Sequence, residues 1–211
     1  MERTLYGFTH TNTNTPTQPP DDTGWAELFL PIQSVSADDI HIQAPKFIHP
    51  KRPLFEFQYV TDDYTLLNVP ILTTFLKVHS WDSSTGRLEL ETDIITSAKI
   101  IAIQKRILQI VSSHPNWTSR QSTLQQDFQY MLHNSILTVY LHGSNPDQVH
   151  TGRVWVWSGS QWKKGVGATT LRKGQQIRLA VRFQGVCTLQ TDGPRTRYRI
   201  QHQSVAIYKK S

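Results

Sequence analysis

Hydrophobic and polar residues alternate with a period of two along much of this chain, and the alternation is plainest in its last third. Ile177, Leu179, Val181 and Phe183 fall on one face of a strand, and Arg178, Ala180, Arg182 and Gln184 on the other. Past a turn signal at Asp192-Gly193-Pro194, Arg195, Arg197 and Arg199 share a face, with Tyr198 and Ile200 opposite. Arg153, Trp155 and Trp157 share a third face with Val154 and Val156 behind them, and the pattern allows either side to be the inner one. Further breaks at Ser158–Ser160 and Val166–Thr170 give about four strands between Gly152 and Ser211.

Upstream, Gly24–Ser36 reads as a strand, and Ile40–Val60 as extended chain whose Pro45, Pro50 and Pro53 argue against helix. Leu54, Phe55, Phe57 and Tyr59 then supply strand propensity. Asp62-Asp63 marks a turn, Leu66–Asp82 gives one or two strands, and Ser83–Gly86 a hairpin loop into Arg87–Thr92. The period changes near Thr96. Ile100, Ile103, Ile107 and Val111 recur at three- and four-residue steps, predicting an amphipathic helix capped by Thr96 or Ser97 and ending before Pro115. A weaker helical pattern runs from Ser119 to His133, and Ile136–His142 reads as a strand. Residues 1–23, rich in Thr, Asn and Pro, cannot bury enough apolar surface to offset their ordering entropy. They read as an extended arm, either loose or docked on a neighbouring subunit. The expectation is a mainly β protein: one β-rich domain over 24–211, a barrel or sandwich with one or two α-helices inserted at about 96–133, and the arm in front.

Charge sharpens this picture. Gly152–Ser211 holds 12 Lys/Arg against one acid, a net +11, while residues 1–151 carry a net −5. Catalysis finds little support. The acids come as Asp21-Asp22, Asp38-Asp39 and Asp62-Asp63, which read as turn formers, and the nine histidines show no metal-ligand spacing. The lone Cys187 excludes an intramolecular disulfide and a multi-cysteine zinc site. No signal-peptide pattern and no run of about 20 apolar residues appears, so neither secretion nor a membrane span is expected. The expected chemistry is non-enzymatic, with no cofactor and no metal.

A groove that tracks a single nucleic-acid strand needs cations for the phosphates and aromatic faces for the bases. The basic segment supplies Arg153, Lys163, Lys164, Arg172, Lys173, Arg178, Arg182, Arg195, Arg197 and Arg199 as cations, with Trp155 and Trp157 as stacking candidates. Trp162, Phe183 and Tyr198 are interleaved among them, Phe183 on the apolar face. Such a face also fits anionic protein partners. A minor capsid or cement protein, bridging subunits through its β-domain and residues 1–23, is the competing expectation.

Three features resemble a known family: the segment Ile42–Pro50 (IQAPKFIHP), a helix ending near Asn116-Trp117, and a closing pattern from Gly174 to Val205. That pattern runs Gly-x-x-Ile-Arg, Phe-x-Gly-Val, then Tyr-x-x-Gln-x-x-x-Val. Over residues 40–207 the chain resembles the phage-type single-stranded-DNA-binding proteins of nucleocytoplasmic large DNA viruses. The resemblance implies an OB-like, partly open barrel and sequence-independent binding of single-stranded DNA in viral genome replication or packaging. It also implies a location in the virion or in the replication compartment of the infected cell, cytoplasmic or nuclear. Phage relatives end in an acidic tail that recruits replication partners; this chain ends Tyr208-Lys209-Lys210-Ser211.

Overall fold

A computed structural model describes residues 29–44, 46–49, 52–114, 124–141, 155–157, 161–164, 171–190 and 196–209. The protein is mainly β, its strands curling into a half-barrel with one substantial helix. This is the OB-like β fold with one helix expected from the sequence. The order is β1 (Leu30–Pro31), β2 (Ile40–Ile42), β3 (Lys46–His49), β4 (Arg52–Val60), β5 (Thr65–Leu67), β6 (Val69–Leu72), β7 (Leu76–Asp82) and β8 (Arg87–Glu91). Then come α1 (Ile94–Ser112), α2 (Leu124–Asp127), β9 (Phe128–Gln129), β10 (Leu132–His133) and β11 (Ile136–Tyr140). The basic segment forms β12 (Trp155–Trp157), β13 (Trp162–Lys164), β14 (Gln176–Gln190) and β15 (Thr196–Lys209).

The long antiparallel pair β14–β15 is the spine. On one side β14 meets β7 at Gln176 and Ile177, β6 from Ala180 to Phe183, and β4 from Gly185 to Cys187. On the far side of β15, β9 pairs in parallel at Tyr198 and Arg199, and β12 in parallel from Ala206 to Tyr208. One strand can serve three partners in succession because the ladder shifts register twice, between Ala180 and Val181 and between Phe183 and Gly185. Each bulge adds local twist and bends the hairpin. Gly185 sits at the second bend, where a Cβ would collide with the carbonyl oxygen of Phe55 on β4. Only glycine admits that approach.

Inside the curl lie Phe55, Phe57, Tyr59, Val69, Ile71, Leu76, Val78, Leu88, Leu90, Ile177, Leu179, Val181, Phe183 and Ile200, all buried. The helix α1 closes this core with Ile100, Ile103, Ile107 and Val111, the stripe read from the sequence. Its cap differs from expectation. Asp93, not Thr96 or Ser97, is the N-cap, its carboxylate accepting from the Thr96 N–H at 2.6 Å. Thr96 is buried instead, its hydroxyl 2.9 Å from that of Thr74. A carboxylate placed before the first turn outcompetes a hydroxyl one turn inside it. The second helical pattern also resolves differently. Among the described residues of that stretch only Leu124–Asp127 is helical, and Phe128 onward turns to short strands. Buried Gln104 explains why: its side-chain oxygen accepts from the Met131 N–H at 2.7 Å, so α1 itself holds that backbone in extended form. Between β10 and β11, Asn134 and Ser135 both take positive φ, the two-residue turn that suits a twisted hairpin. The expected strand over Gly24–Ser36 reduces, among the described residues, to Leu30–Pro31 and a 3-10 turn at Ile32–Ser34.

His202 on β15 is buried in this core. Its Nε2 accepts from the Tyr140 N–H of β11 at 2.9 Å, and its Nδ1 lies 3.4 Å from the Ile200 carbonyl. That pairing fixes the neutral ring with the proton on Nδ1. Burial pushes its pKa down to about 4, the hydrogen bond to Ile200 opposing and the charge of Arg199 assisting.

Two predictions follow from the spine. Because the folded state holds the His202 proton less readily than the unfolded chain, this stability is full above pH 6.5 and is lost as pH falls towards 4. The loss is about 3 kcal/mol. Urea midpoints of the wild type should therefore fall across that window, and His202→Gln should be weaker at pH 7 but flatter with pH. Parallel pH profiles would contradict the assignment. Gly185→Ala should cost about 1–3 kcal/mol by the same measurement, since β4 must move away.

Candidate functional site

Residues opposite each other in an antiparallel ladder share a face. In β14–β15 the inner face carries Ile177, Leu179, Val181, Phe183 and Val186 opposite Ser204, His202 and Ile200, among others. The outer face therefore carries Arg178 opposite Tyr208, Ala180 opposite Ala206, Arg182 opposite Gln203, Cys187 opposite Arg199, and Leu189 opposite Arg197. Four of the sequence-predicted arginines, 178, 182, 197 and 199, thus stand on one face of one hairpin. They span twelve residues of β14, from Arg178 to Leu189, roughly 35 Å along the strand. Two glutamines lie within this face, the Gln201 amide donating to Gln184 Oε1 at 3.2 Å.

One end of the face is aromatic. Val156 of β12 is buried in the core. That settles which side of β12 faces in: Trp157 lies outside, half-buried, in register with Tyr208. Trp157, Phe29 and Leu72 pack on Ala180, Ala206 and Tyr208 as a small apolar cluster separate from the main core. Beside it, Arg178 donates through Nε to the Thr73 carbonyl at 2.8 Å, and its guanidinium lies 5.9 Å from the centre of the Phe75 ring. Phe75, in the loop between β6 and β7, is 43% exposed. Burial raises the Tyr208 phenol to about 12, Arg178 opposing, and burial also draws the Arg178 guanidinium below its usual value. Tyr208 is therefore a neutral donor at any physiological pH.

Arg178 is consequently part of the scaffold as well as a cation of the face. The other arginines differ. Arg197 is exposed, Arg182 is half-buried, and Arg199 has a buried Nε with no hydrogen-bond partner among the described residues. Arg172 and Lys173 are exposed on the turn that leads into β14, a turn that requires the positive φ of Gly174. Trp155 and Lys164 are paired in the β12–β13 register, as are Val156 and Lys163. Arg153, Arg195 and the arm 1–23 lie outside the described residues.

Phe183 and Tyr198 are both buried in the core, which removes them as stacking groups. Phe75 joins the face instead, while Tyr208 stands on that side only as a buried member of the small apolar cluster, and sequence reasoning missed both placements. Simple alternation from Tyr198 through Ile200 and His202 puts Tyr208 inside. The bulge at Val205 reverses that parity, and the unbroken apolar run Val205-Ala206-Ile207 was its only trace in the sequence.

Among the described residues, no group of three or more His, Cys, Asp or Glu is arranged to hold a metal ion, and no helix is long and apolar enough to cross a membrane. Comparison with models of known protein families, with curated proteins and with solved structures finds no match.

The different settings of two arginines are testable by chemical denaturation. Arg178→Ala leaves the Thr73 carbonyl without its donor and should destabilise by about 1–2 kcal/mol. Arg197→Ala, exposed, should stay within about 0.5 kcal/mol of the wild type. Equal costs would contradict the scaffold role of Arg178.

Proposed function

We propose that this chain is a non-enzymatic protein that binds single-stranded DNA without sequence preference, through the outer face of β14–β15. The observation that carries the reading is the alignment of Arg178, Arg182, Arg199 and Arg197 along the one hairpin face that the core does not use. Cations in a row suit a phosphate backbone, whose regular charge spacing makes the attraction independent of sequence. Trp157 at one end and Phe75 beside Arg178 supply π-faces against which bases can stack. Arg182, Arg197 and Arg199 meet phosphates. Arg172 and Lys173, exposed on the turn into β14, extend the site along its rim. The resemblance of the closing pattern to viral single-stranded-DNA-binding proteins gives the role in genome replication or packaging.

The test is a tryptophan-fluorescence titration with oligo-dT at several salt concentrations. Affinity should fall steeply with salt, by roughly 0.7 on a log–log slope for each phosphate neutralised. Arg197→Ala and Arg182→Ala should each lower that slope by about the same amount. Trp157→Ala should remove much of the quenching and weaken binding by about 1–3 kcal/mol. Absence of binding at low salt, or binding indifferent to salt, overturns the reading.

A further inference from the structure

A different surface, on α1, is unexplained by nucleic-acid binding. The inner face of α1 is buried, yet its outer face is also apolar over the first two turns. Ile94 is 84% exposed, Ile95 49% and Ile101 42%, and Ala98 is exposed between them. Ile94, Ala98, Ile101 and Lys105 follow at steps of four, three and four, so they form one stripe along the helix. Only from Lys105 onward does that stripe turn polar, with Gln109 and Ser112. Three isoleucines exposed on two turns are more than scattered surface hydrophobes, and a contiguous patch of this kind marks an interaction surface.

We propose that this stripe is a homodimer interface in which α1 packs antiparallel against α1 of a second copy. The two ends of the stripe carry opposite charge. Asp93 stands at its start, an exposed carboxylate kept ionised by bonds from Thr74 Oγ1 and the Thr96 N–H. Lys105 stands at its other end, twelve residues or about 18 Å further along the axis. Next to Lys105, Arg106 has a buried Nε with no hydrogen-bond partner among the described residues. A two-fold axis near residue 99 sets Asp93 of each copy against Lys105 of the other, twice over. It also lays Ile94 along the aliphatic stem of that lysine, and small Ala98 against large Ile101. A surface with a negative end and a positive end flanking an apolar middle is complementary to itself, as an isologous interface requires. A partner of uniform charge satisfies one end only. The helix dipoles, antiparallel in this arrangement, add to the match.

The test is sedimentation equilibrium of the full chain over a range of concentrations. The wild type should approach twice the monomer mass, and Ile94→Glu or Ile101→Glu should weaken self-association by more than about tenfold. Both side chains are exposed, so the circular dichroism spectrum should not change, while the thermal midpoint should lose its dependence on protein concentration. Lys105→Glu should also weaken the dimer, and more at low salt than at high. In a Cys187→Ser background, Ala98→Cys near the axis should oxidise to a covalent dimer, whereas Gln109→Cys, at the far end of the same face, should not. A wild type that stays monomeric at every concentration overturns the proposal. So does a dimer that survives both glutamate variants, or one that Gln109→Cys cross-links and Ala98→Cys does not. These readouts contain no nucleic acid, so their failure leaves the strand-binding reading untouched.

Discussion

A strand of fifteen residues cannot stay flat, because its right-handed twist accumulates until the sheet must bend or break. In this protein the strain is resolved by two bulges in the β14–β15 ladder, and most other features depend on that solution. The bulges let β14 pass from β7 to β6 to β4 while keeping β15 on its other edge, which is what curls the sheet around its core. They also decide which side chains face outward. Had the ladder run straight, Tyr208 would point into the core and Val186 away from it. The approach of β4 at Gly185, the placing of His202 beneath β11 and the row of arginines outside all follow from the same register.

Much of this was legible in the sequence, for a specific reason. Up to its bulge each long strand keeps its large apolar residues on one parity, so Arg178 and Arg182 had to face away from Phe183, and Arg197 and Arg199 away from Tyr198. The helix stripe Ile100, Ile103, Ile107 and Val111 was equally clear. Legibility failed where tertiary contacts override local pattern. The bulge at Val205 inverts parity, Gln104 converts a weak helical pattern into extended chain, and Asp93 takes the cap from Thr96. The side of β12 that faces inward was undecidable until β15 supplied its register. Phe75 carries no sequence signal at all, since it joins the face only through the contact of its loop with Arg178.

The closing pattern from Gly174 to Val205 lies almost wholly on this hairpin. Gly174 takes the positive φ of the entry turn, Ile177, Phe183, Val186 and Tyr198 fill the core, Gly185 admits β4, and Val205 is the bulged residue. Arg178 is the exception, standing on the outer face but bonded to Thr73. The pattern is thus a prescription for a bent hairpin. It speaks to the fold first, and the argument for binding rests on residues around it: Arg182, Arg197, Arg199 and Trp157. Charge follows the same division. The cations sit on the spine strands, whereas β7 and β8 pair theirs locally, Lys77 with Glu91 at 3.2 Å and Arg87 with Glu89.

The most direct measurement of the central claim is ultraviolet cross-linking of the protein to oligo-dT, with the modified peptides mapped by mass spectrometry. If the outer face of the spine holds the strand, cross-links will fall on Trp157 and on the loop bearing Phe75, and excess unlabelled oligonucleotide will remove them. Cross-links confined to β7–β8 or to α1, with the β12, β14 and β15 peptides unmodified, would contradict the account.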